Sequence, residues 1–564
     1  MLPHLIAHLR DNDGMDIVTA AQMNAIDRDS GERGVPVRVL MENAGEAVAW
    51  FCRERYAGHS VVALCGKGNN GGDGAVAARV LAELQTPVRL VLLGSIDETQ
   101  GDAASAFARA KETQGLEFVE VRDAAALREA LRNADLILDA VVGTGFTPPL
   151  RGLAAVARDL IAAMNRPVVA VDLPSGWDAD STAQTSEDDS CVAQAFRADA
   201  VVTFVAPKMA HVFGHLTPGQ TFGPVVVAPI GTPMESMPAH TELHWTGTAK
   251  RVAEQRRDVN GNKGKFGHVL IVGGALGKSG APSMASLAAM RVGAGLTTAA
   301  VPRSVLQMVA GVAPELMCAP LEEDDGLLQE QLGEESFIQL MKGITVVGIG
   351  PGLGQEGSTP EFVCAFVERV SLPMVIDADA LNALAGKMDV LKRAASATDA
   401  KGRKRTIVLT PHPGEMARLV GSSVKEVEAD RVGLARRFAT ENGVTLVLKG
   451  WRTLVAHPDG RVAVNTTGNP AMAKGGSGDI LTGIVAGMVA QYPEHVADAV
   501  EAAVFLHGLA GDFATLAQDE HTVLATDTVG HLWQAFRARV QDEDGVTWIA
   551  GLAARSGVGS GHDA

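Results

Sequence analysis

The 564-residue sequence is poor in the residue types on which several classes of protein depend. Aromatic residues make up 4% of it, with two tyrosines, so a surface built from stacked aromatic rings is not expected. Its net charge of −17 lacks the basic excess that nucleic acid or an anionic membrane attracts. No uninterrupted apolar run reaches the roughly 18 residues of a membrane-spanning helix. We therefore expect neither nucleic acid nor a membrane among its partners.

Cysteine is scarce as well, with five residues scattered along the chain and no CxxC pair. This pattern provides no disulfide or zinc framework and is typical of a reducing compartment. Residues 1–14 lack the basic segment and cleavage site of a secretory signal. Together these features predict a cytoplasmic protein.

Short runs of Val, Ile and Leu alternate with helical patterns and predict repeated βα units around parallel strands buried on both faces. The runs form two series: residues 61–65, 88–93, 136–142, 168–172 and 201–205, then 268–274, 344–350, 373–379, 406–410 and 444–450. We therefore predict an α/β protein of two domains, residues 15–235 and 245–540. The stretch 231–262 has weak periodicity and is interpreted as the linker.

The first predicted strand of the chain leads into the glycine-rich segment 66–74 and then a helix. Such a turn presents backbone N–H groups that favour an anion. Gly66, Gly68 and Gly71 also satisfy G-x-G-x-x-G, with Asp97 after the next strand, which leaves a dinucleotide-binding dehydrogenase as an alternative. The Asn-Asn-Gly-Gly-Asp insert at 69–73 weakens that alternative.

Two further strand ends carry polar residues. Asp139 precedes the Gly143-Thr144-Gly145 turn, and Asp172 precedes Ser175. Ligands of an open parallel sheet bind outside the carboxyl ends of its strands, so these segments are expected to converge on one crevice. Asn70, Asp139 and Ser175 offer hard oxygen atoms suited to a cation.

The segments GNNGGDG, DAVVGTGF and VDLPSG resemble the epimerase domain of the bifunctional NAD(P)H-hydrate repair enzymes, over about residues 15–235. The resemblance implies a Rossmann-like three-layer sandwich with Asp172 as catalytic acid or base. It implies a K⁺ site of Asn70, Asp139 and Ser175; Lys67 departs from the family pattern. The substrate site that it implies comprises Asn69, Asn70, Gly71, Gly72, Asp73, Gly143, Thr144, Gly145, Phe146, Thr147, Pro148, Pro149 and Asp172.

The most specific pattern in the second half is the segment 469–479, NPAMAKGGSGD, which runs into an apolar helix. Gly475–Gly478 then lie at a helix N-terminus whose N–H groups can stabilise charge on a transferring phosphoryl group. Asp479 beside them is suited to accept a proton from a substrate hydroxyl. The upstream loop 273–279 looks like a P-loop but is one residue short of its spacing, which excludes a P-loop NTPase.

This half resembles the ADP/ATP-dependent NAD(P)H-hydrate dehydratases of the ribokinase-like superfamily, over about residues 255–535. The resemblance rests on NKGKFGHVLIVGG, SGAPSMASLAAMRVGAGL, GIGPGLG, VIDADALNAL, LTPHPGEMARL, VLKGWRT and GNPAMAKGGSGD. It implies a three-layer α/β/α domain with Asp479 as catalytic base and substrate contacts at Ala281, Gly352, His412 and Asp479. The nucleotide-binding residues are expected to be Lys449, Gly450, Trp451, Arg452, Thr453, Gly475, Gly476, Ser477 and Gly478. Asn262 and Lys474 are small departures from the family pattern.

Several other residues receive interpretations from their position alone. One of Asp377 and Asp379 is expected to orient substrate and the other to cap the following helix. His211 and His215 are predicted to be structural, because Gly214 between them spoils a helical metal pair.

The two resemblances together imply repair of reduced nicotinamide cofactors that have gained water at C6 of the ring. The first domain would interconvert R- and S-NADHX or NADPHX with K⁺. The second would dehydrate the S form with ADP or ATP and Mg²⁺, and a homo-oligomer is expected. A sugar or vitamin kinase, or a non-catalytic nucleotide-binding module, remains the alternative.

Overall fold

The protein is described by a computed structural model that covers residues 15–183, 195–217, 223–238, 241–324, 327–398, 402 and 404–556. Its internal contacts divide the chain into two units. The first comprises residues 1–241 and 539–564, and the second comprises residues 242–538.

The helices and strands of the first unit alternate as the apolar runs predict. In chain order they are β1 (Met15–Asp16), α1 (Ala20–Glu32), α2 (Val37–Arg55), β2 (Val61–Cys65), α3 (Asn69–Glu83), β3 (Val88–Leu93), α4 (Gly101–Glu112), β4 (Leu116–Val121), α5 (Ala124–Ala130), β5 (Leu136–Ala140), α6 (Gly152–Met164), β6 (Val168–Val171), β7 (Ala200–Phe204), α7 (Met209–Phe213) and β8 (Val225–Ala228).

The sheet of the first unit has the strand order β8-β7-β6-β5-β2-β3-β4, and neighbouring strands are parallel. One face packs on α5 and α6, where Leu127 and Ile161 join the buried core around Leu64 and Ile137. The opposite face packs on α3, whose Gly74 lies directly over Cys65. Helices on both faces of a parallel sheet confirm the predicted three-layer α/β fold.

The second unit repeats this architecture with more elements. In chain order they are β9 (Leu243–Trp245), β10 (His268–Val272), α8 (Gly280–Val292), β11 (Leu296–Pro302), α9 (Leu306–Ala310), β12 (Met317–Leu321), β13 (Glu323–Asp324), β14 (Leu327–Leu328), α10 (Glu334–Met341), β15 (Val346–Ile349), α11 (Thr359–Arg369), β16 (Met374–Ile376), α12 (Ala378–Leu384), α13 (Met388–Ser396), β17 (Ile407–Leu409), α14 (Pro413–Val420), α15 (Val424–Ala429), α16 (Arg431–Asn442), β18 (Thr445–Leu448), β19 (Leu454–Ala456), β20 (Val462–Val464), α17 (Ser477–Gln491), α18 (Val496–Ala517) and α19 (Ala525–Arg537).

The main sheet of the second unit has the order β9-β20-β19-β18-β17-β16-β15-β10-β11-β12. Its strands are parallel except that β19 runs antiparallel to both of its neighbours. Helices α8 and α17 pack so closely that a Cβ on Gly483 would lie 2.0 Å from the Ala285 carbonyl oxygen. Glycine at position 483 therefore sets the distance between these two helices.

The predicted linker at 231–262 is wrong for residues 243–253. This stretch contains β9 and a 3₁₀ helix, Thr246–Ala253. Trp245 is fully buried, donates its indole N–H to Thr466 Oγ1 at 2.7 Å and meets the Phe505 ring edge-on at 5.5 Å. A three-residue strand followed by a 3₁₀ helix has neither the period of a longer strand nor that of an α-helix, which explains the weak pattern.

The end of the chain returns to the first unit, which the sequence analysis did not anticipate. Strand β21 (Thr547–Ala550), followed by α20 (Leu552–Ser556), pairs antiparallel with β8 and extends its sheet. Trp548 and Ile549 are buried there, at 7% and 1% exposure. The first unit is therefore completed by residues that follow the whole second unit in sequence.

By length and composition, one described helix, α18, could cross a bilayer. However, 83% of its most apolar 18-residue window is buried inside the fold. It packs against α17 and α19 and carries the buried polar residues Glu501, His507 and Thr515. These features make α18 a core helix of the second unit.

The buried carboxylate of Glu501 links α18 to β9 and to the end of β19 through hydrogen bonds. Glu501 Oε1 accepts hydrogen bonds from His244 Nε2 at 2.9 Å and from His457 Nε2 at 2.8 Å. Burial alone would raise the pKa of Glu501, but the two histidines and their hydrogen bonds lower it to about 2. A carboxylate with a lowered pKa stabilises the fold in its ionised form.

We predict that Glu501→Gln lowers the free energy of unfolding of the second unit by about 3 kcal/mol, on the scale of 1.36 kcal/mol per pKa unit. In the native chain this contribution should be complete above about pH 4.5, the ordinary pKa of Glu, and should be lost as the pH falls towards 2. Thermal unfolding at pH 7 should show a drop in Tm of about 5–10 °C. The exposed Glu441→Gln in α16 is the matched control, and equal Tm values for the two variants would contradict the prediction.

Candidate active sites

The first candidate site lies where the strand order of the first unit reverses. From β2 the chain proceeds to β3 and β4 on one side, and from β5 to β6, β7 and β8 on the other. The turns after β2 and β5 touch: a Cβ on Gly66 would lie 2.0 Å from the Val141 carbonyl oxygen, and one on Gly71 would lie 1.8 Å from the Gly66 carbonyl oxygen. Glycine is therefore required at both positions for the crevice to form.

Asp172 follows β6 and points into this crevice from a strained backbone conformation, with φ of 66°. Its Oδ1 accepts from Thr203 Oγ1 at 2.8 Å and from Lys208 Nζ at 2.9 Å. Its Oδ2 accepts from the Thr144 backbone N–H at 3.2 Å, on the side of the 143–145 turn. One oxygen is thus held by buried side chains, and the other faces the predicted substrate loop.

The pKa values of two carboxyl groups in the crevice, Asp172 and Asp73, are shifted in opposite directions. Burial opposes ionisation of Asp172, but Lys208 and the hydrogen bonds from Lys208 and Thr203 keep the pKa of Asp172 below its ordinary value. Asp73 on α3 has no such hydrogen bond among the described residues, and burial followed by the charge of Asp172 raises its pKa well above the ordinary value. One carboxyl is therefore ionised while the pKa of its neighbour is raised, as in an acid–base pair.

Asp139 and Ser175 form a second polar pair beneath the same loop. Asp139 is fully buried, and it accepts from Ser175 Oγ at 2.6 Å and from the Ser175 backbone N–H at 2.7 Å. Burial raises the pKa of Asp139 to about 6, although the bonds from Ser175 and Val141 oppose this. The remaining predicted cation ligand, Asn70, turns its Oδ1 towards Gly143, next to Val142, whose N–H donates to Ser175 Oγ.

Other predicted substrate residues of the first unit line the rim of the crevice. Asn69 is the exposed first residue of α3, and Gly145 and Thr147 are exposed in the loop after β5. Phe146 instead packs against the apolar core of the unit. The peptide bond between Pro148 and Pro149 is cis.

The second candidate site is organised around Lys449, at the end of β18. Its Nζ lies 3.0 Å from Asp377 Oδ1 and 3.7 Å from Glu415 Oε2. A Cβ on Gly478 would lie 3.2 Å from the same Nζ, so Lys449 touches the N-terminus of α17. Two separate predicted nucleotide segments, 449–453 and 475–478, therefore meet at this ammonium group.

Asp479 stands in the first turn of α17, half-buried and without a hydrogen bond among the described residues. Burial and then the charge of Asp377 raise the pKa of Asp479 to about 6, while Lys449 opposes them. A carboxylate with a pKa just below neutrality is ionised at pH 7 and still basic enough to accept a proton. Such a pKa suits a general base, the role that the family resemblance implies for Asp479.

Neither Asp377 nor Asp379 caps the following helix, so that expectation is wrong. Asp377 occupies the N-cap position of α12, but its Oδ2 accepts from Thr482 Oγ1 at 2.7 Å. Asp379 accepts from the Gly354 backbone N–H at 2.8 Å. Lys449 and α17 draw Asp377 away from its own helix, and Asp379 instead fixes the glycine-rich turn after β15.

His412 caps α14 rather than pointing freely into the site. Its Nδ1 accepts from the Gly414 backbone N–H at 3.0 Å, and its Nε2 lies 3.3 Å from Glu415 Oε1. Burial lowers the pKa of His412, with Glu415 opposing. The ring is half-exposed at the edge of the Lys449 cluster, where a substrate could still reach it.

The remaining predicted residues fall on the same edge of the sheet. Gly352, with φ of 66°, lies so close to Ala281 that an added Cβ would be 3.0 Å from the Ala281 Cβ. Gly476 is the left-handed N-cap of α17, and Ser477 Oγ donates to the Met472 carbonyl at 2.7 Å. In the turn after β18, Thr453 Oγ1 donates to the Gly450 carbonyl oxygen at 3.3 Å.

Two arginines hold the turn after β18. Arg431 donates to the Trp451 carbonyl oxygen. The guanidinium of Arg452 lies 4.5 Å from the centroid of the Trp451 ring and donates to the Thr466 carbonyl at 2.6 Å. The turn that is predicted to bind nucleotide is therefore fixed in shape by contacts on both sides.

Comparison with known proteins places both units in one family. A family model described as NAD(P)H-hydrate dehydratase matches residues 269–532, and one described as YjeF-related protein N-terminus matches residues 37–210. The bifunctional NAD(P)H-hydrate repair enzyme of Moorella thermoacetica is 38% identical over 549 residues, covering 95% of this chain and 99% of its own. That of Escherichia coli K12 is 33% identical over 523 residues, covering 91% and 92%.

This chain belongs to the bifunctional NAD(P)H-hydrate repair enzymes.

Among solved structures, the ADP/ATP-dependent NAD(P)H-hydrate dehydratase of Bacillus subtilis, crystallised with ATP and Mg²⁺, is 33% identical. It covers 51% of this chain and 97% of its own, with a TM-score of 0.42. Membership of the repair-enzyme family accounts for both units. It therefore outweighs the kinase alternative, which leaves the first unit unexplained, and the dehydrogenase alternative, which rested on one fingerprint.

Sequence reasoning missed several residues of the two sites in this repair enzyme. Lys208 lies in the turn after β7, four residues beyond the end of the strand, so a wider search of the strand ends could have found it. His211, predicted to be structural, contacts the Asp172 carbonyl oxygen through Nε2 at 2.7 Å and accepts from the Lys208 backbone N–H at 2.9 Å. Thr203 and Thr482 gave no signal, because a threonine within a buried strand or helix looks like any other core residue.

Three family departures act outside the catalytic groups. Lys67 forms an exposed ion pair with Glu98 at 2.7 Å. Lys474 donates to the carbonyl oxygens of His521 and Val523, away from the Gly475–Gly478 loop. Asn262 Oδ1 accepts from the Gly264 backbone N–H at 3.0 Å in an exposed turn.

We predict that Gly143→Ala slows epimerisation about 100-fold. The new Cβ would lie 2.9 Å from Asn70 Oδ1 and 3.2 Å from Asp172 Oδ2, so it would displace both groups. A displacement of this size costs about 100-fold in rate. The rate of R-to-S conversion by chiral chromatography is the measurement. The control is Gly68→Ala in the same unit, where an added Cβ meets nothing within 4 Å, and similar rates for the two variants would argue against this geometry.

Proposed function

We propose that this chain repairs hydrated nicotinamide cofactors with two active sites. The first unit interconverts R- and S-NAD(P)HX, and the second dehydrates S-NAD(P)HX to NAD(P)H at the expense of ADP or ATP. The observation that carries the proposal is that each site contains a carboxylate whose pKa is shifted by its surroundings. Asp172 is held ionised by Lys208, and Asp479 stands with a raised pKa beside Lys449 and a glycine-rich helix N-terminus.

Epimerisation at C6 requires one group that donates a proton and one that accepts it. The lone pair of the ring nitrogen expels the C6 hydroxyl, which takes a proton and leaves as water. Water then adds to the other face of C6 and gives up a proton. Asp73, with its raised pKa, is the candidate donor, and Oδ2 of ionised Asp172 is the candidate acceptor.

Dehydration in the second unit begins with phosphorylation of the C6 hydroxyl. Asp479 accepts the hydroxyl proton, and the oxygen attacks the terminal phosphorus of the nucleotide. The Gly475–Gly478 N–H groups and Lys449 stabilise the charge on the phosphoryl oxygens. The ring nitrogen then expels phosphate, a far better leaving group than hydroxide, and the resulting iminium loses a proton from C5 to solvent, which restores the dihydronicotinamide ring. With ADP the products are NAD(P)H, AMP and phosphate.

The surroundings of Asp139 suit the K⁺ that the family resemblance implies. Asp139 is buried, yet no lysine, arginine or histidine of the described residues contributes to its pKa. Asp139, Ser175 and Asn70 would hold the ion with hard oxygens. The ion would supply the positive charge that a buried carboxylate needs and fix the loop after β5.

The second site suits Mg²⁺ because it is rich in negative charge. Asp377, Glu415 and Asp479 all act on the ammonium of Lys449, and Asp379 pairs with Lys278 at 3.5 Å, so four carboxylates share two lysines. Among the described residues no group of three or more His, Cys, Asp or Glu is arranged as a metal cage. Mg²⁺ usually binds through one or two carboxylates together with phosphate oxygens. Asp377, Asp379 or Glu415 would hold it with the nucleotide, where it would offset phosphate charge.

The compartment and assembly state are part of the same proposal. The four cysteines of the described residues are all free thiols, which suits a reducing cytoplasm. We expect a homo-oligomer, and light scattering on the purified protein measures its mass.

The proposed function is tested by absorbance at 340 nm. Purified protein receives mixed NADHX epimers, K⁺, Mg²⁺ and either ADP or ATP. Nucleotide-dependent recovery of nearly all the NADH is expected, because epimerisation feeds the R form to the dehydratase. Absence of recovery with either nucleotide would refute the proposal.

Two substitutions should separate the activities. With Asp172→Asn, recovery should stop at the S fraction, because the group that accepts the epimerase proton is gone. With Asp479→Asn, no NADH should form, while ADP affinity stays within about twofold. Asparagine preserves the shape of both side chains and tolerates the positive φ at position 172. The exposed Asp159→Asn in α6 is the control, and full activity of either variant would remove that residue from the mechanism.

The pH dependence of dehydration should report Asp479. Because the base must be ionised, kcat/KM for S-NADHX should fall as the pH drops through about 6 and should level off above pH 7. Asp377 raises the pKa of Asp479, so in Asp377→Asn the midpoint should move to lower pH. A profile without a midpoint near 6 in the native enzyme would contradict the assignment of the base.

A further inference from the structure

The turns after β10 and β15 meet where the strand order of the second unit reverses. From β10 the chain proceeds to β11 and β12 on one side, and from β15 to β16, β17 and β18 on the other. Gly274 donates its backbone N–H to the Pro351 carbonyl oxygen at 2.8 Å, so the two turns are in contact. An open parallel sheet binds its ligand in the crevice at such a point.

Lys278 lies in the P-loop-like segment 273–279, to which the proposed function gives no role. Its backbone packs on two residues that are implied to contact substrate. A Cβ on Gly352 would lie 2.8 Å from the Lys278 carbonyl oxygen and 3.0 Å from the Ala281 Cβ. The Lys278 side chain is 51% exposed, and its Nζ lies 4.0 Å from the position of a Cβ on Gly354. The ammonium group therefore lies on the open side of this crevice, beside the turn after β15.

The carboxylate that pairs with Lys278 is also held by other donors. Nζ lies 3.5 Å from Asp379 Oδ2. The same oxygen accepts from the Gly354 backbone N–H at 2.8 Å, and Oδ1 accepts from Gln355 Nε2 at 3.2 Å. An ion pair that is open to water contributes about 0–1 kcal/mol. Lys278 can therefore turn towards an anion at little cost and leave Asp379 with two hydrogen bonds.

The substrate of the proposed dehydratase brings such an anion. NADHX and NADPHX both carry a negatively charged pyrophosphate, one ribose away from the hydrated nicotinamide ring. Lys449 pairs with Asp377 at 3.0 Å and touches the N-terminus of α17 at Gly478, so this lysine serves the nucleotide phosphates. The pyrophosphate of the second dinucleotide then needs a cation of its own, next to the residues that contact the ring.

We propose that Lys278 binds the pyrophosphate of the hydrated cofactor and so positions its ring at Ala281 and Gly352. This inference rests on the proposed function of the second unit. A lysine ammonium is a compact charge with three donors on a flexible stem, which suits a phosphate group. Lys278 is thus a substrate-binding residue, whereas Lys449 binds the nucleotide and Asp479 accepts the proton.

Initial rates at 340 nm with purified S-NADHX or S-NADPHX, Mg²⁺ and ADP test this role. In Lys278→Gln, KM for both hydrates should rise about five- to tenfold, the worth of one charge-assisted contact at a half-exposed site. Because the contact is the same in ground state and transition state, kcat and the KM of ADP should stay within about twofold. Lys278→Arg keeps the charge and should restore most of the affinity.

The matched control is Lys265→Gln. Lys265 is 54% exposed and pairs with Asp258 at 2.7 Å, but it precedes β10, at the opposite end of the strand from Lys278. Unchanged KM values in Lys278→Gln would overturn the proposal. A rise confined to S-NADPHX would also overturn it, because the lysine would then bind the 2′-phosphate. An equal rise in the KM of ADP would place Lys278 on the nucleotide instead and would likewise overturn it.

Acetylation of lysines, read by peptide mass spectrometry on the full chain, tests the contact without turnover. NADPH carries the same pyrophosphate and should slow acetylation of Lys278 but not of Lys265, whereas ADP with Mg²⁺ should leave Lys278 unchanged. Equal acetylation of Lys278 with and without NADPH would overturn the proposal. Protein in which NADPH protects Lys278 but which recovers no NADH from its hydrate would refute the proposed function and retain the pyrophosphate contact.

Discussion

Each candidate active site depends on a lysine, largely removed from water, that is paired with a buried carboxylate. In the first unit Lys208 and Asp172 have 2% and 10% of their side chains exposed, and in the second unit Lys449 and Asp377 have 19% and 1%. Removing two charges from water costs as much as their attraction returns, so such pairs contribute little to stability. These pairs act instead through the electrostatic field that each lysine creates in its site. Each lysine fixes the protonation of its neighbours and carries positive charge into a chain whose net charge is −17.

The strand order of each sheet places these lysines at the candidate sites. In both units the chain leaves a central strand in one direction and later returns to its other side, which opens a crevice at the carboxyl ends of the two central strands. In the first unit the turns after β2 and β5 fill that crevice. In the second unit it lies between β10 and β15, where Gly352 approaches Ala281. Residues far apart in sequence, such as Asp377, Lys449 and Gly478, then meet without a dedicated binding domain.

Much of this arrangement could be predicted from the sequence, because strand runs and strand-end residues are local signals. Every apolar run that was interpreted as a strand is one in the structure, and Asp172 and Asp479 lie in the two candidate sites beside the residues predicted with them. Contacts that depend on tertiary packing could not be predicted. Thr203 and Thr482 are recognisable only once the sheet and helices bring their hydroxyls to a carboxylate. The pairing of β21 with β8 could not be predicted for the same reason, because nothing in a four-residue strand indicates which strand it pairs with.

The two sites show how one architecture can tune an aspartate in opposite directions. Asp172 and Asp479 both lie at the carboxyl edge of a parallel sheet, and burial by itself would raise the pKa of each. At Asp172 the ammonium of Lys208 and the Thr203 hydroxyl bond directly to the carboxylate, and they outweigh burial. At Asp479 the lysine bonds to Asp377 instead, and Asp377 adds its own negative charge, so the pKa remains near 6. A lysine bonded directly to the proposed catalytic carboxylate therefore lowers the pKa of that carboxylate, whereas a lysine bonded to a neighbouring carboxylate leaves it raised.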